Sequence, residues 1–403
     1  MGEQPLTLGI EEEFQIVDAG GGELKAHIDT LLAAAQSSSL VDDVRAEMLQ
    51  SVVEVGTRIC ANVGEARAEV LRLRGGLAGL LAPEGLRIAS AGTHPFSHWQ
   101  DQRVTEMERY KLFEDQMQDL VRELLIFGMH VHVGISDPEA RIEVMNEARY
   151  FLPHLLALST SSPFWLNRRT GLKSYRSVIW SRFPRSGIPP EFGSHADFDN
   201  YVALLVKTNT IDTGKSIWWD LRPHWQYPTI EFRICDAVTK VDEVICLAAL
   251  VQAICAKLLK LRGQNLGFRK YPPQLIHENK FRAFRHGLDG KLIDFGKQRE
   301  VPMRDLALEL VDFVDDVVDE LGSRKGGRVR AHDPARGHQR RPPARRPPGQ
   351  RRRHGGRSRA CHGRDPGRRA VAGLKVRRWA WSCQQSASNN ASHRRAPHCR
   401  AST

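Results

Sequence analysis

The stretch TLGIEEEFQIVD, Thr7 to Asp18, alternates like a β-strand yet carries three consecutive glutamates. Residues two apart in a strand share a face. Leu6, Leu8, Ile10, Phe14 and Ile16 therefore form an apolar face, interrupted by Glu12, while Thr7, Gly9, Glu11, Glu13 and Gln15 form the opposite one. Carboxylates about 7 Å apart on one face repel each other unless solvent or a cation screens them. The strand thus has one face for a core and one that is either solvated or holds a metal.

Two later stretches repeat the arrangement. GMHVHVGI, Gly128 to Ile135, sets Val131, Val133 and Ile135 against His130 and His132, and TIEFRICD, Thr229 to Asp236, sets Ile230, Phe232 and Ile234 against Glu231, Arg233 and Cys235. An ordinary solvent face carries Lys, Thr and Ser; these polar sides carry no lysine. Taken as a set, Glu, Glu, His, His, Glu and Arg read as a site for metal and phosphate. Glutamate oxygens with one imidazole suit Mg²⁺ or Mn²⁺ better than Zn²⁺, and Mg²⁺ in turn suits a nucleoside triphosphate. A fourth stretch, RAEMLQSVVEVGT, adds Glu47, Gln50 and Glu54. Gln50 and Glu54 share a strand face, whereas Glu47 joins them only through a bulge or turn.

Cations come from an irregular region, Ser161 to Phe192. NRRTGLKSYRS holds Arg168, Arg169, Lys173 and Arg176; DLRPHW holds Arg222; ERYKLF holds Arg109 and Tyr110. Each is a solvated charge or a fork for a carboxylate or phosphate. No GxxxxGK[ST] or GxSxG stretch is present, and Cys235 has no neighbours that would make it a nucleophile.

The chain has 403 residues, 41% of them hydrophobic, and a formal charge of +12 that is unevenly distributed. Residues 323–403 contain 23 Lys and Arg against two acids, whereas the first 322 residues contain 36 bases against 45 acids, a net of −9. An acidic body does not suit general nucleic-acid binding, which rests on phosphate neutralisation. The tail, with 21 Arg, 9 Gly, 7 Pro and 6 His, lacks the apolar content to fold alone. It is either a disordered basic arm, which would make the protein a nucleic-acid binder acting through its tail, or the out-of-frame translation of a GC-rich gene. Seven cysteines without a CxxC pair, and no basic-then-apolar leader, suggest reduced thiols and a cytoplasmic location. The longest apolar run, Val244 to Ala256, is too short to span a bilayer and predicts a buried helix.

Periodicity predicts strands over Leu6–Val17, Gln50–Ile59, Arg87–Ala91, Met129–Ile135, Trp218–Arg222 and Thr229–Cys235. It predicts helices over Val63–Leu81, Glu106–Phe127, Arg141–Ser159, Ala196–Thr208, Val241–Leu261 and Arg304–Leu321. Without a regular βαβ beat, this is an α+β protein with a mainly antiparallel sheet.

GIEEEFQIVD, GMHVHVGI, SPFWLNRRTGLKSYR and WWDLRPHWQYPTIEFRICD, in this order and spacing, resemble the carboxylate–amine ligases of the glutamate–cysteine ligase type 2 family from about Leu6 to Gly322. The resemblance implies a glutamine-synthetase-like fold, its antiparallel sheet shaping a funnel-like active site flanked by helices, with residues 1–322 as the catalytic domain. It implies that ATP phosphorylates the side-chain carboxylate of glutamate or a similar acid and that cysteine or another amine then forms an amide. Carried onto this chain, Glu11, Glu13, Glu54, Glu231 and His132 would hold Mg²⁺ or Mn²⁺, and Arg233, with Glu231 and His132, would act on the transferring phosphoryl group. His130, Arg176, Arg222 and Arg109 are candidates for nucleotide or substrate binding. A homodimer and no membrane partner are expected. The family's closing GTSADRQ-like segment has no counterpart after Gly322, where ARGHQRRPPARR stands instead.

Overall fold

A computed structural model describes residues 6–323; the basic tail lies outside the described residues from 324 on, and with it both readings of that segment. The main sheet has seven strands: β1 (Leu8–Asp18), β2 (Val44–Ala46), β3 (Val52–Gly56), β4 (Leu86–Ala89), β5 (Gly128–Gly134), β6 (Leu221–Pro223) and β7 (Thr229–Asp236). Their order is β6-β7-β5-β1-β3-β2, with β4 pairing the C-terminal part of β1, and every pairing is antiparallel. This is the expected α+β class.

Six helices matter for the core: α1 (Val63–Leu81), α2 (Pro138–Ala148), α3 (Leu152–Ser159), α4 (Val241–Gly263), α5 (Pro273–His286) and α6 (Met303–Val318). Helix α1 starts where Asn62 accepts the Glu65 N–H and the Glu65 carboxylate accepts the Ala61 N–H, which satisfies donors the helix cannot pair itself. Leu8, Ile10, Met129, Val131, Val133, Ile230 and Phe232 pack under the sheet against α2, α3, α4 and the first turns of α1. Phe14, Ile16, Val53 and Val55 pack in a second cluster with Leu73, Leu77 and Leu81 from the end of α1. Glu12 points into the seam between them and is 3% exposed, its carboxylate held by Arg74, which also donates to the carbonyls of Val238 and Thr239. The glutamate that interrupts the apolar face is therefore a buried ion pair.

Some elements differ from the periodicity. The 106–127 helix breaks at Gln118, whose φ of 50° ends one helix and starts a short second one. The 141–159 helix is two helices, joined by a 3₁₀ turn before Pro153, a residue with no N–H for the carbonyl four back. Strand β3 begins only at Val52, so Gln50 lies in a turn rather than on a strand face. Helix Ile28–Gln36, strand β2, helix α5 and the hairpin Lys291–Asp294/Arg299–Pro302 had no counterpart in the pattern. Helix α4 outlasts its apolar run and is the one described helix long and apolar enough to cross a membrane, yet 67% of its apolar window is buried inside the fold.

Candidate active site

The strand registers determine which polar residues meet. Across β2, β3 and β1, Arg45 lies opposite Glu54 and Glu54 opposite Glu13. Glu11 lies opposite His130 between β1 and β5. His132 then faces Glu231, and Glu231 faces Arg222, across β5, β7 and β6. Four stretches far apart in sequence thus place their ionisable sides in adjoining rows.

The centre is Glu11, His132 and Glu231, whose ligating atoms all lie within 4.8 Å of one another. The buried Nε2 of His132 makes no hydrogen bond, with a Glu11 oxygen 3.6 Å away, and its Nδ1 is 3.3 Å from the Thr229 hydroxyl. His130 Nδ1 is 3.1 Å from Glu11 and 3.9 Å from Glu231. Burial opposes the charge of Glu11, but the hydrogen bond from His130, the close approach of His132 and the charges of both rings together outweigh it and hold the carboxyl well below its usual range. Burial also opposes Glu231, and the charges of Arg233 and Arg222 hold it well below. His130 is pushed down to about 4 by burial and by Arg233. His132 is raised, because the nearby carboxylates of Glu11 and Glu231 overcome burial. Two oxygens and one nitrogen, two of them ionised, fit a hard divalent cation.

A second group lies alongside. Glu13 accepts the Gly128 N–H at 2.5 Å. Glu47 follows β2 and is carried by the Glu47–Ser51 turn into reach of Glu13, so the turn that its odd offset required is present. Burial and the charge of Glu13 push Glu47 up to about 7. Burial together with Glu11, Glu47 and Glu13 raises Glu54 well above its usual range, only partly relieved by Arg45 at 3.6 Å. Arg45, which the sequence pattern does not single out, reaches this group from β2, where it stands opposite Glu54.

The arginines divide by task. Arg233 is ion-paired with Glu231, and its guanidinium lies 5.6 Å from the Trp180 ring centroid. Arg222 donates to both Glu231 oxygens, at 2.8 and 3.3 Å, and to the carbonyls of Lys215 and Ile217. A candidate for nucleotide or substrate binding, it holds Glu231 and also lines the pocket beside His132. Arg176 is turned inward, onto the carbonyls of Arg233 and Ile234. Arg109 lies over the Tyr110 ring at 4.4 Å, beside Glu47. His130 sits within the carboxylate group. Arg168 and Arg169 are exposed on a two-residue hairpin strand, and Lys173 pairs with Asp289.

Cys235 corrects the alternation. One extra residue between Phe232 and Cys235 makes a bulge in β7, so Ile234 and Cys235 both enter the core and Asp236 returns to the polar side. Burial pushes the Cys235 thiol up to about 12. Asp236 accepts the Ser161 N–H and the hydroxyls of Ser162 and Ser174.

Beside His132 lies a pocket of about 390 Å³ whose lining includes Arg141, Asp199, Arg222, His224, Trp225 and Tyr227. The ring of His224 meets that of His132 at 5.4 Å and stacks on Tyr227 at 4.8 Å.

Comparison with known proteins places this geometry. The profile described as glutamate–cysteine ligase family 2 matches residues 7–325. A relative from Herpetosiphon aurantiacus, provisionally named glutamate–cysteine ligase 2, is 57% identical over 320 residues, 79% of this chain and 83% of its own. One from Roseiflexus castenholzii under the same provisional name is 59% identical, over 79% and 84% of the two chains. The fold is shared with a glutamate–cysteine ligase of Francisella tularensis solved in complex with AMP, at a TM-score of 0.56 and 14% identity over 80% of this chain and 82% of that one. A bifunctional glutathione synthetase of Pasteurella multocida gives a TM-score of 0.56 at 13% identity, over 79% and 48% of the two chains. By its sequence along the whole described body, the chain belongs to glutamate–cysteine ligase family 2.

Proposed function

We propose that this protein is an ATP-dependent carboxylate–amine ligase acting on the side-chain carboxylate of glutamate or a similar acid. The observation that carries the reading is the convergence of Glu11, His132 and Glu231 within 4.8 Å, next to buried, ion-paired Arg233. The γ-phosphoryl group of ATP passes to the carboxylate oxygen, breaking the bond to the β-phosphate and giving an acyl phosphate and ADP. The amine nitrogen then attacks the acyl carbon, phosphate leaves with the C–O electron pair, and the nitrogen loses its proton.

Glu11, His132 and Glu231 would hold one Mg²⁺ or Mn²⁺, and Glu13, Glu47 and Glu54 have the oxygen donors for another. Such cations, when bound, neutralise charge on the phosphates. Arg233 supplies a fixed positive charge where charge builds up on the transferring group. Arg222 and His130 keep Glu231 and Glu11 in place. The pocket beside His132 takes the nucleoside, its base against the His224 and Tyr227 rings. The AMP-bound Francisella structure supports nucleotide use in this fold.

The test is ADP release by the purified protein with Mg²⁺ and ATP, with and without glutamate, across cysteine and a panel of other amines. Release that requires both glutamate and one amine supports the ligase and identifies its acceptor. ATP hydrolysis indifferent to both overturns it.

A further inference from the structure

Arg233 keeps the face that alternation from Glu231 gives it, and the β7 bulge at this point removes backbone groups from the ladder, since neither Arg233 nor Ile234 has a ladder partner on β5. These groups are satisfied from two sides. The Arg233 N–H donates to the Asp220 carbonyl at 2.8 Å. The Arg233 and Ile234 carbonyls accept from the two terminal nitrogens of Arg176, at 3.1 and 3.3 Å. Arg176 is 4% exposed and begins the short helix Arg176–Trp180. Four residues on, and so on the same side of that helix, Trp180 places its ring against the Arg233 guanidinium.

This support is tied back to the strand it holds. The Arg176 N–H donates to the Ser162 hydroxyl, which donates to Asp236 at 2.7 Å; Ser174, two residues before Arg176, donates to the other Asp236 oxygen at 2.8 Å. On its far side the guanidinium lies against Gly128, where any Cβ would collide with it. Gly128 is thus small enough to let Arg176 reach the bulge while its N–H is bonded to Glu13.

We propose that Arg176 is a positioning residue that, together with Trp180, holds the β7 bulge in the shape that aims Arg233 at the carboxylate cluster. The inference rests on the ligase reading for what Arg233 does there. It does not require Arg176 to touch nucleotide, because both terminal nitrogens are engaged by the backbone. A lysine would keep the charge but has no planar fork to bridge two carbonyls.

The experiment compares the full chain with Arg176→Lys and Arg176→Gln, reading amide hydrogen exchange over 229–236 and steady-state ADP formation. Arg176→Lys is expected to speed exchange in that segment and to lower kcat by about 100-fold, as for a misplaced catalytic group, with KM for ATP within about twofold of wild type. Because lysine retains charge and stem, it serves if Arg176→Gln fails to fold. A raised KM for ATP or glutamate with kcat and exchange unchanged overturns the proposal in favour of direct substrate contact. Faster exchange with unchanged kcat also overturns it, since the bulge would then be held to no purpose. If wild-type protein forms no glutamate-dependent ADP, the ligase reading fails separately, and unchanged exchange in Arg176→Lys then overturns the structural claim while faster exchange upholds it.

Discussion

Glu231 is the residue on which the site's charges converge, bonded by Arg222 and Arg233 and facing both histidines. Glu231→Gln keeps the shape and removes the charge. Glutamate-dependent ADP formation is expected to fall by at least about 10²–10³-fold, and the rise in Tm produced by MnCl₂ in wild type should vanish; a Tm shift of wild-type size would exclude Glu231 as a ligand. The acids beside it give a pH signature. Glu47, near 7, and Glu54 have folded-state values raised above their unfolded ones. The contribution of Glu47 to stability is therefore full below about pH 4.5 and is lost as pH rises through about 7, and that of Glu54 is likewise lost on going to higher pH. Cations offset the repulsion that causes this loss, so Mg²⁺ should raise Tm more at pH 8 than at pH 5.5. Equal shifts at the two pH values would contradict the crowding of these carboxylates.

At the scale of elements, the seam between β1 and α1 rests on the Glu12–Arg74 pair, both members of which are largely buried. Arg74→Met leaves Glu12 charged and unpaired in the core and is expected to cost about 3–5 kcal/mol by urea denaturation. Adding Glu12→Leu should recover most of that loss, because a hydrophobic pair of similar volume is close to neutral there. The pair also marks where alternation is a sufficient guide. From Leu8 to Ile16 the period of two correctly separates the residues that pack on helices from those that face Glu54 and His130, since β1 is regular throughout. The same rule fails for Cys235 and Asp236, because a bulge inserts one residue and reverses the phase without any Gly or Pro to announce it. It fails for Gln50, where a turn replaces the strand, and helps with Glu47 only once that turn is known. Arg176 and Arg222 could be recognised as forks but not assigned a target, since their targets are backbone carbonyls and a carboxylate on strands paired at long range.

Across the whole molecule, stability against acid has a source outside the site. His154 on α3 is 3% exposed, its Nδ1 makes no hydrogen bond, and burial pushes it down to about 4 from 6.5. A depressed folded-state value means that its contribution is present above pH 6.5 and is lost as pH falls towards 4, by up to about 3 kcal/mol. Urea midpoints measured from pH 7 to pH 4 should fall less steeply in His154→Gln than in wild type; parallel curves would assign the acid sensitivity elsewhere. The registers that assemble the carboxylates and histidines also determine when they can work. His130 and Glu11 are separated by 119 residues, and His132 and Thr229 by 97. No fragment that forms early by local contacts contains the Glu11, His132 and Glu231 set together. Pairings this distant in sequence form late in folding, so the Glu11, His132 and Glu231 centre has little grip on a divalent ion until β5 has docked between β1 and β7. Capture of Mn²⁺ during refolding would thus time the closing of the sheet.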